Sequence, residues 1–377
     1  METPFIMCLK IELRREKGTR LLSCQALNGG QTGFYRVVYD EASRAAIMKA
    51  LPSMAETDRV GLISDAFACG AAGYAQTTAA LELLSAYSDA KETSYVVWSE
   101  MASGLGGVTS SFFEQPDDVV ESLRAFGADL FAPLVERLGW EPAASAGAGG
   151  ENTPGDEEED SYQTSLLRQL AVSRALAFEH PATVAEARRR FDAYLAGDLH
   201  AVPADLKGAV FASALRQGGA EELATLKALY AAAESSLEES TLLGAMGAGA
   251  RDKDTVLAAL QFNMTDAVRI QDGGSIVGGA ARSRVGRRVV WDWVRENWDA
   301  VDAKFGGGGV SSGLTRVIGA SCSGLCTEED AAAIEAFYLP KKIEGAERTV
   351  SQVVESVRAR TARLARDAAP VAAWLKK

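Results

Sequence analysis

Histidine is nearly missing from this chain: His180 and His200 are its only two among 377 residues. Neither has a second imidazole one helical turn away, and H-E-x-x-H, which sets two imidazoles on one helix face for zinc, does not occur. A histidine-pair zinc site of that kind is excluded. Long apolar runs are also absent, since nothing approaches the roughly 18 to 20 residues that a membrane-spanning helix needs. The opening METPFIMCLKIELRREKG has too short an apolar stretch and the wrong charge order for a secretory signal. No membrane association is expected, and a cytoplasmic location is the default. Cysteine is sparse and odd in number, with Cys8, Cys24, Cys69, Cys322 and Cys326 widely spaced. That argues against a disulfide framework and reads as free thiols. A surplus of basic charge is lacking too. The formal charge of −12 repels phosphate backbones, so no nucleic-acid partner is expected. The basic stretch Arg282 to Arg288 is a local exception beside an apolar helix, and reads as a helix-end or interface cluster.

What the chain has is apolar content, 47% of its residues, enough to bury a sizeable core in one large domain or two to three smaller ones. Residues 1 to 40 are strand-like: Ile6 to Leu13, Thr19 to Leu27, and the aromatic and β-branched Phe34 to Tyr39. Two or three strands cannot bury both faces of a sheet, so this piece needs the following helices, a partner, or more protein to pack on. From Glu41 onward, helical patterns alternate with short breaks. Asp58 is the expected cap of a helix bearing Leu62, Ile63, Ala66 and Phe67, and Thr77 of the one bearing Leu81, Leu84 and Tyr87. Further helices are predicted through Tyr95 to Leu105, Phe126 to Leu138, Leu166 to Phe178, Val184 to Leu195, Leu206 to Leu215, Leu223 to Tyr230, Leu242 to Gly249 and Val256 to Leu260. Thr327 with Asp330 resembles a capping box, and Val350 to Leu364 marks a long last helix. The segment Glu141 to Asp160 is small, acidic and proline-containing, a composition expected of a mobile, solvated loop. Short helices in pairs with no intervening strands predict a mainly α fold of stacked helical hairpins, with a repeat too degenerate to give a clean period.

Local signatures of catalysis are weak. Cys322 and Cys326 lack the further ligands a zinc site needs. Gly319-Ala320-Ser321-Cys322-Ser323 begins like a nucleophile elbow but ends in serine, with no strand before it. The glycine runs Gly273-Gly274, Gly278-Gly279 and Gly306 to Gly309 lack the lysine of a phosphate loop and read as helix breaks. His180 precedes Pro181 and is expected near a helix end. Trp291, Trp293 and Trp298 could form a stacking platform, but Trp293 and Trp298 share an apolar face with Val290 and Val294 that predicts core packing.

Longer stretches carry more information. NGGQTGFYRVVYD (Asn28 to Asp40) resembles the segment that closes the small β-sandwich domain and enters the helical domain in zinc aminopeptidases of the puromycin-sensitive and aminopeptidase N type, members of the gluzincins. DRVGLISDAFACGAAG (Asp58 to Gly73) is similar to the first long helix of that domain and YVVWSEM (Tyr95 to Met101) to a following one. QDGGSIVGGAARSRVGRRVVWDWVRENWDAVDAKFGG (Gln271 to Gly307) is similar to its late hairpin, and EEDAAAIEAFY with Gly345 to Leu375 to its extreme C-terminus. Between Met101 and Gln271 there is no distinct match. The resemblance implies a right-handed α-superhelix of HEAT- or armadillo-like hairpins over residues 41–377, preceded by a β-sandwich remnant over 1–40, with a concave side that covers a peptide chamber. The family's zinc ligands, catalytic glutamate, G-A-M-E-N loop and catalytic tyrosine belong to earlier domains with no counterpart here. No catalytic residue transfers, and zinc is expected only in the missing catalytic domain. The expected partners are peptides and that catalytic part. Arg36 and Arg59, in the matched motifs, are the substrate-binding candidates, set against salt bridges that tie the helical domain to the strand segment. The leading expectation is a noncatalytic C-terminal domain that limits or assists peptide access. The rivals are part of an active metalloaminopeptidase completed by an upstream or separate catalytic region, and a helical-repeat interaction scaffold.

Overall fold

The computed structural model of the chain describes residues 8–10, 27–89, 91–141, 162–306 and 312–377. The expected strand Thr19 to Leu27 and the expected mobile acidic loop therefore lie, but for Leu27 and Glu141, outside the described residues. The class is mainly α: seventeen α-helices and two short strands among the described residues. Strand β1 (Cys8–Lys10) pairs in parallel with β2 (Arg36–Val38), with Cys8 opposite Arg36. The chain divides into two compact units, the first drawing its described residues from Met1–Thr109, Asp117–Ala171 and Arg363–Lys377, the second from Ser110–Pro116 and Val172–Ala362.

In the first unit, α1 (Glu41–Ala50), α2 (Glu56–Ala72), α3 (Thr77–Asp89), α4 (Tyr95–Ser111) and α5 (Asp117–Leu138) follow one another. Asp40 caps α1, its carboxylate accepting from the Ser43 N–H at 2.7 Å. Two predicted caps fail. Helix α2 begins two residues before Asp58, with Ala55 at the cap position, and Asp58 instead accepts from the Gly30 N–H at 2.6 Å. The Thr77 hydroxyl is turned away from its own helix and donates to the buried Asp367 carboxylate at 2.6 Å. In both cases a contact distant in sequence outcompetes the local bond, because a short polar side chain satisfies whichever partner the packing brings. The predicted apolar faces are in place: Leu81, Leu84 and Tyr87 are fully buried, and Trp98 meets Phe131 at 5.4 Å.

The second unit takes the end of α6 (Tyr162–Ala177), then α7 (Pro181–Leu195), α8 (Lys207–Gly218), α9 (Ala220–Ala231), α10 (Ser236–Gly249) and α11 (Lys253–Asn263). It continues with α12 (Gly274–Ala280), α13 (Gly286–Glu296), α14 (Trp298–Phe305), α15 (Ser312–Cys322), α16 (Glu328–Tyr338) and the start of α17 (Glu347–Trp374). Its helices stack as hairpins in two rows: α8 on α10, α10 on α12 and α12 on α15 in one, and α9 on α11 and α11 on α13 in the other. Glycine sets the closest approach. A Cβ at Gly279 would stand 2.7 Å from the Gly247 backbone, so only hydrogen fits where α10 crosses α12. Gly278-Gly279 is thus no helix break; both lie inside α12, where small residues let two backbones touch. Trp291, Trp293 and Trp298 are buried, with Trp291 and Trp298 each within 5.9 Å of Phe337 and Tyr338. The Thr327–Asp330 capping box opens α16 as predicted.

Candidate functional site

The residue types that could run hydrolysis are placed for other work. His180 occupies the N-cap position of α7, its Nδ1 2.8 Å from Thr183 Oγ1, and His200 is exposed. Ser321 is fully buried at the end of α15 and its hydroxyl donates to the Ile318 carbonyl at 3.0 Å, so no nucleophile elbow forms. Cys69, Cys322 and Cys326 are buried and are not in disulfides. Burial pushes the Cys322 thiol up to about 12 and also raises that of Cys326, which disfavours the thiolate that a metal requires. Among the described residues no group of three or more His, Cys, Asp or Glu could hold a metal ion. These side chains do not fit the catalytic zinc of the resembled family.

Arg36 and Arg59 are both committed to carboxylates, and they share none. Arg36, on β2, donates to Asp65 Oδ1 at 3.0 Å and Ser64 Oγ at 3.2 Å, while Asp65 also accepts from the Val37 N–H at 2.9 Å. One carboxylate thereby ties the strand to α2. Burial nevertheless raises the Asp65 carboxyl, outweighing the bonds from Val37 and Arg36. Arg59 grips the buried Glu92 through Nε at 2.7 Å and Nη2 at 3.1 Å, and gives Nη1 to the Met54 carbonyl at 2.6 Å. Glu92 accepts in addition from the Thr93 and Ser94 N–H groups, each at 2.8 Å. The cleft beside them, about 160 Å³ and walled by Leu51, Pro52 and Lys91, opens onto a carboxylate that is already satisfied.

A different set of arginines stands out in the second unit. Arg174 and Arg216 lie in the last turns of α6 and α8. Arg251 and Arg282 follow the C-cap residues of α10 and α12. A cation at a helix C-terminus is favoured by the carbonyl dipoles there, which accounts for each one singly. It does not account for their pairing. Arg216 feels the charge of Arg251, and Arg174 that of Arg282, which is itself exposed. Burial first, and then the neighbouring Arg251, pull Arg216 down to about 10; burial lowers Arg251 and Arg174 as well. Acid is scarce around them. Glu179 Oε1 is 4.0 Å from Arg216 Nε, at the outer limit of an ion pair, and its charge offsets part of the burial of Arg251. Arg216 fixes its position by donating Nη1 to the Leu176 carbonyl at 2.7 Å, yet its buried Nε has no hydrogen-bond partner. The buried Nε of Arg251 has none either. Buried arginine nitrogens without a partner also occur at Arg44, Arg287, Arg360 and Arg363. At Arg216 and Arg251 they coincide with the lack of a carboxylate within hydrogen-bond reach, which leaves donors to offer an anion.

Sequence reading reached only the edge of this row, through Arg282 in the basic stretch. The rest of that stretch does something else: Arg284 donates to the Phe113 and Gln115 carbonyls, Arg287 pairs with Glu114, and Arg288 pairs with Glu114 and Asp330. The signal that would have exposed the row is a basic residue closing alternate helices at intervals of roughly 30 to 40 residues, one hairpin each.

Comparison with known proteins follows the same stretch of chain. Residues 26–359 match the family model described as ERAP1-like C-terminal domain. The chain is similar to Aminopeptidase M1-B of Oryza sativa subsp. japonica, 30% identical over 88% of this chain and 36% of that protein. It is similar to the Alanine/arginine aminopeptidase of Saccharomyces cerevisiae, 28% identical over 93% of this chain and 39% of that protein, and to Aminopeptidase 2 of Candida albicans, 27% identical over 93% and 36%. The chain thus spans little more than a third of the length of these curated relatives.

Proposed function

The chain belongs to the ERAP1-like C-terminal domain family, and from that premise we propose that it is the noncatalytic C-terminal part of a zinc aminopeptidase, covering a peptide chamber whose metal lies elsewhere. Residues 1–40 are then the remnant of a β-sandwich domain and residues 41–377 the helical domain. The partners are peptides and the catalytic part of the enzyme, in the cytoplasm. One observation carries the peptide-binding role: Arg216 and Arg251 keep buried donors without acceptors, in a protein of net charge −12 whose carboxylates outnumber its cations. An extended peptide ends in a carboxylate, and guanidinium forks match that group in shape and charge. The missing hydrolytic constellation supports the other half of the reading, that the chain accommodates peptides and leaves cleavage to another part.

Two measurements on the purified chain test this. Aminoacyl fluorogenic substrates are expected to stay intact with and without added zinc; robust metal-dependent release would overturn the noncatalytic role. Labelled nonapeptides with free C-termini are expected to raise fluorescence anisotropy saturably, and the absence of binding by any peptide would remove the peptide-accommodating surface.

A further inference from the structure

The cleft beside Arg59, in the first unit, holds a positive charge that the surrounding side chains do not take up. Leu51, Pro52, Arg59, Lys91, Glu92 and Thr93 line its roughly 160 Å³. Arg59 and Lys91 bring two positive charges and Glu92 one negative, so one positive charge is left over. Glu92 has no room for a further donor: its two oxygens already accept twice from Arg59 and once each from the Thr93 and Ser94 N–H groups. Donors, by contrast, remain. A guanidinium carries five N–H groups, and Arg59 spends three of them on Glu92 and the Met54 carbonyl, which leaves one on Nη1 and one on Nη2. Lys91 is exposed, and among the described residues neither its ammonium nor the Thr93 hydroxyl has a hydrogen-bond or ion-pair partner. Lys91 also stands in left-handed backbone, φ 55°, where a residue with a Cβ is strained and glycine is not.

Charge and wall chemistry together define the occupant. We infer that the cleft binds a monocarboxylate on a short apolar body, its oxygens accepting from the unspent donors of Arg59, Lys91 and Thr93 while the body lies beside Leu51 and Pro52. Guanidinium and ammonium groups both match a carboxylate, and one negative charge brings the site to neutrality. A phosphate, with about −1.5 to −2 at pH 7, would leave the cleft negative beside Glu92. A neutral molecule of the same shape would leave the donors and the charge unanswered, at a cost in affinity. The site is separate from Arg216 and Arg251, which belong to the second unit.

Calorimetric titration of the full chain tests this with 3-methylbutanoate, with 3-methylbutanamide, which keeps the body and loses the charge, and with inorganic phosphate. The acid is expected to bind saturably and about 10-fold or more tighter than either, an advantage that shrinks with added salt. Lys91→Gln is expected to weaken the acid about 5-fold. Lys91→Gly is expected to weaken it as much while the thermal midpoint holds or rises, because glycine relieves the left-handed strain, and binding lost in this variant is then not lost to unfolding. A nonapeptide ending in a free leucine carboxylate offers the same group from another source. A peptide affinity that falls with Lys91→Gln assigns the cleft to peptide ends, and one that does not assigns it to free acids. Equal binding of acid and amide, tighter binding of phosphate, an acid affinity that both Lys91 variants leave unchanged, or no saturable binding of the acid overturns the inference. None of these outcomes touches the reading of Arg216 and Arg251.

Discussion

Two groups of arginines in the second unit have the same chemistry and opposite surroundings. Arg284, Arg287 and Arg288 face Glu114, Asp330 and the carbonyls of Phe113, Gln115 and Gly324. Arg287 is wholly buried and its guanidinium also lies 5.1 Å from the centre of the Phe113 ring. Burial pulls Arg287 down as it does Arg216, and a neighbouring arginine adds to it in both cases, Arg288 in the one and Arg251 in the other, but Glu114 and Asp330 answer Arg287 whereas Arg216 has a more distant Glu179. The contrast lies in the carboxylates and not in the open donors, because Arg287 too keeps a buried Nε and Nη2 without hydrogen-bond partners. The first, matched set is neutralised by acids that hold the 110–116 segment and α16 in place, and the second lacks a carboxylate within hydrogen-bond reach.

The largest effect is expected where the matched set is broken. Asp330 pairs with Arg288, accepts from the N–H groups of Cys326 and Thr327, and completes the capping box of α16. Asp330→Ala strands a guanidinium and uncaps a helix at once, and is expected to cost about 3 kcal/mol in urea unfolding. Burial pushes the Asp330 carboxyl up, but the bonds and charge of Arg288 and the Thr327 bonds prevail and hold it below its ordinary 3.8. A carboxyl lowered on folding stabilises above its unfolded value and loses that contribution as pH falls through its folded one. The gap between parent and variant should therefore be full near neutrality and close below about pH 4. A variant within 1 kcal/mol of the parent at pH 7 would show that the matched set is not structural.

The helices of this molecule were legible because their apolar faces repeat at helical spacing, as with Leu81, Leu84 and Tyr87, or Val290 with Val294. The Thr327–Asp330 box was legible because both halves of it are local. Asp58 and Thr77 misled because their partners, Gly30 and Asp367, lie far off in sequence and no local pattern announces them. The row was hidden for the same reason. Singly, Arg174, Arg216 and Arg251 look like ordinary bases at helix ends, and only stacking reveals that like charges meet. Arg36 and Arg59 drew attention through the motifs around them, while Asp65 and Glu92, which occupy them, carry no mark in the sequence of being buried.

A change in spacing rather than charge sharpens the comparison next. Gly279 touches the Gly247 backbone where α10 meets α12, the helices that Arg251 and Arg282 follow. Gly279→Ala places a methyl against main chain that has no flexible end to swing aside, and overpacking of this sort costs about 2 kcal/mol. Forced apart, the two helices lose contact along the row, and the loss is expected to appear in full in urea unfolding. A variant within about 0.5 kcal/mol of the parent would show that the two backbones have room to part.

The smallest expected effect on stability is the most discriminating. Arg251 makes no hydrogen bond or ion pair with any described residue, and its burial beside Arg216 opposes folding. Arg251→Gln removes a desolvated charge and a repulsion while giving up only the partial compensation from Glu179, so unfolding free energy is expected to stay within about 0.5 kcal/mol of the parent or to rise. The same substitution at a structural arginine would cost several times more. A loss of about 2 kcal/mol at Arg251 would place it with the matched set and erase the distinction between the two groups. An unchanged or raised stability, with binding of peptides that carry a free C-terminus weakened, would mean that the charge is kept at a thermodynamic cost because a ligand completes it.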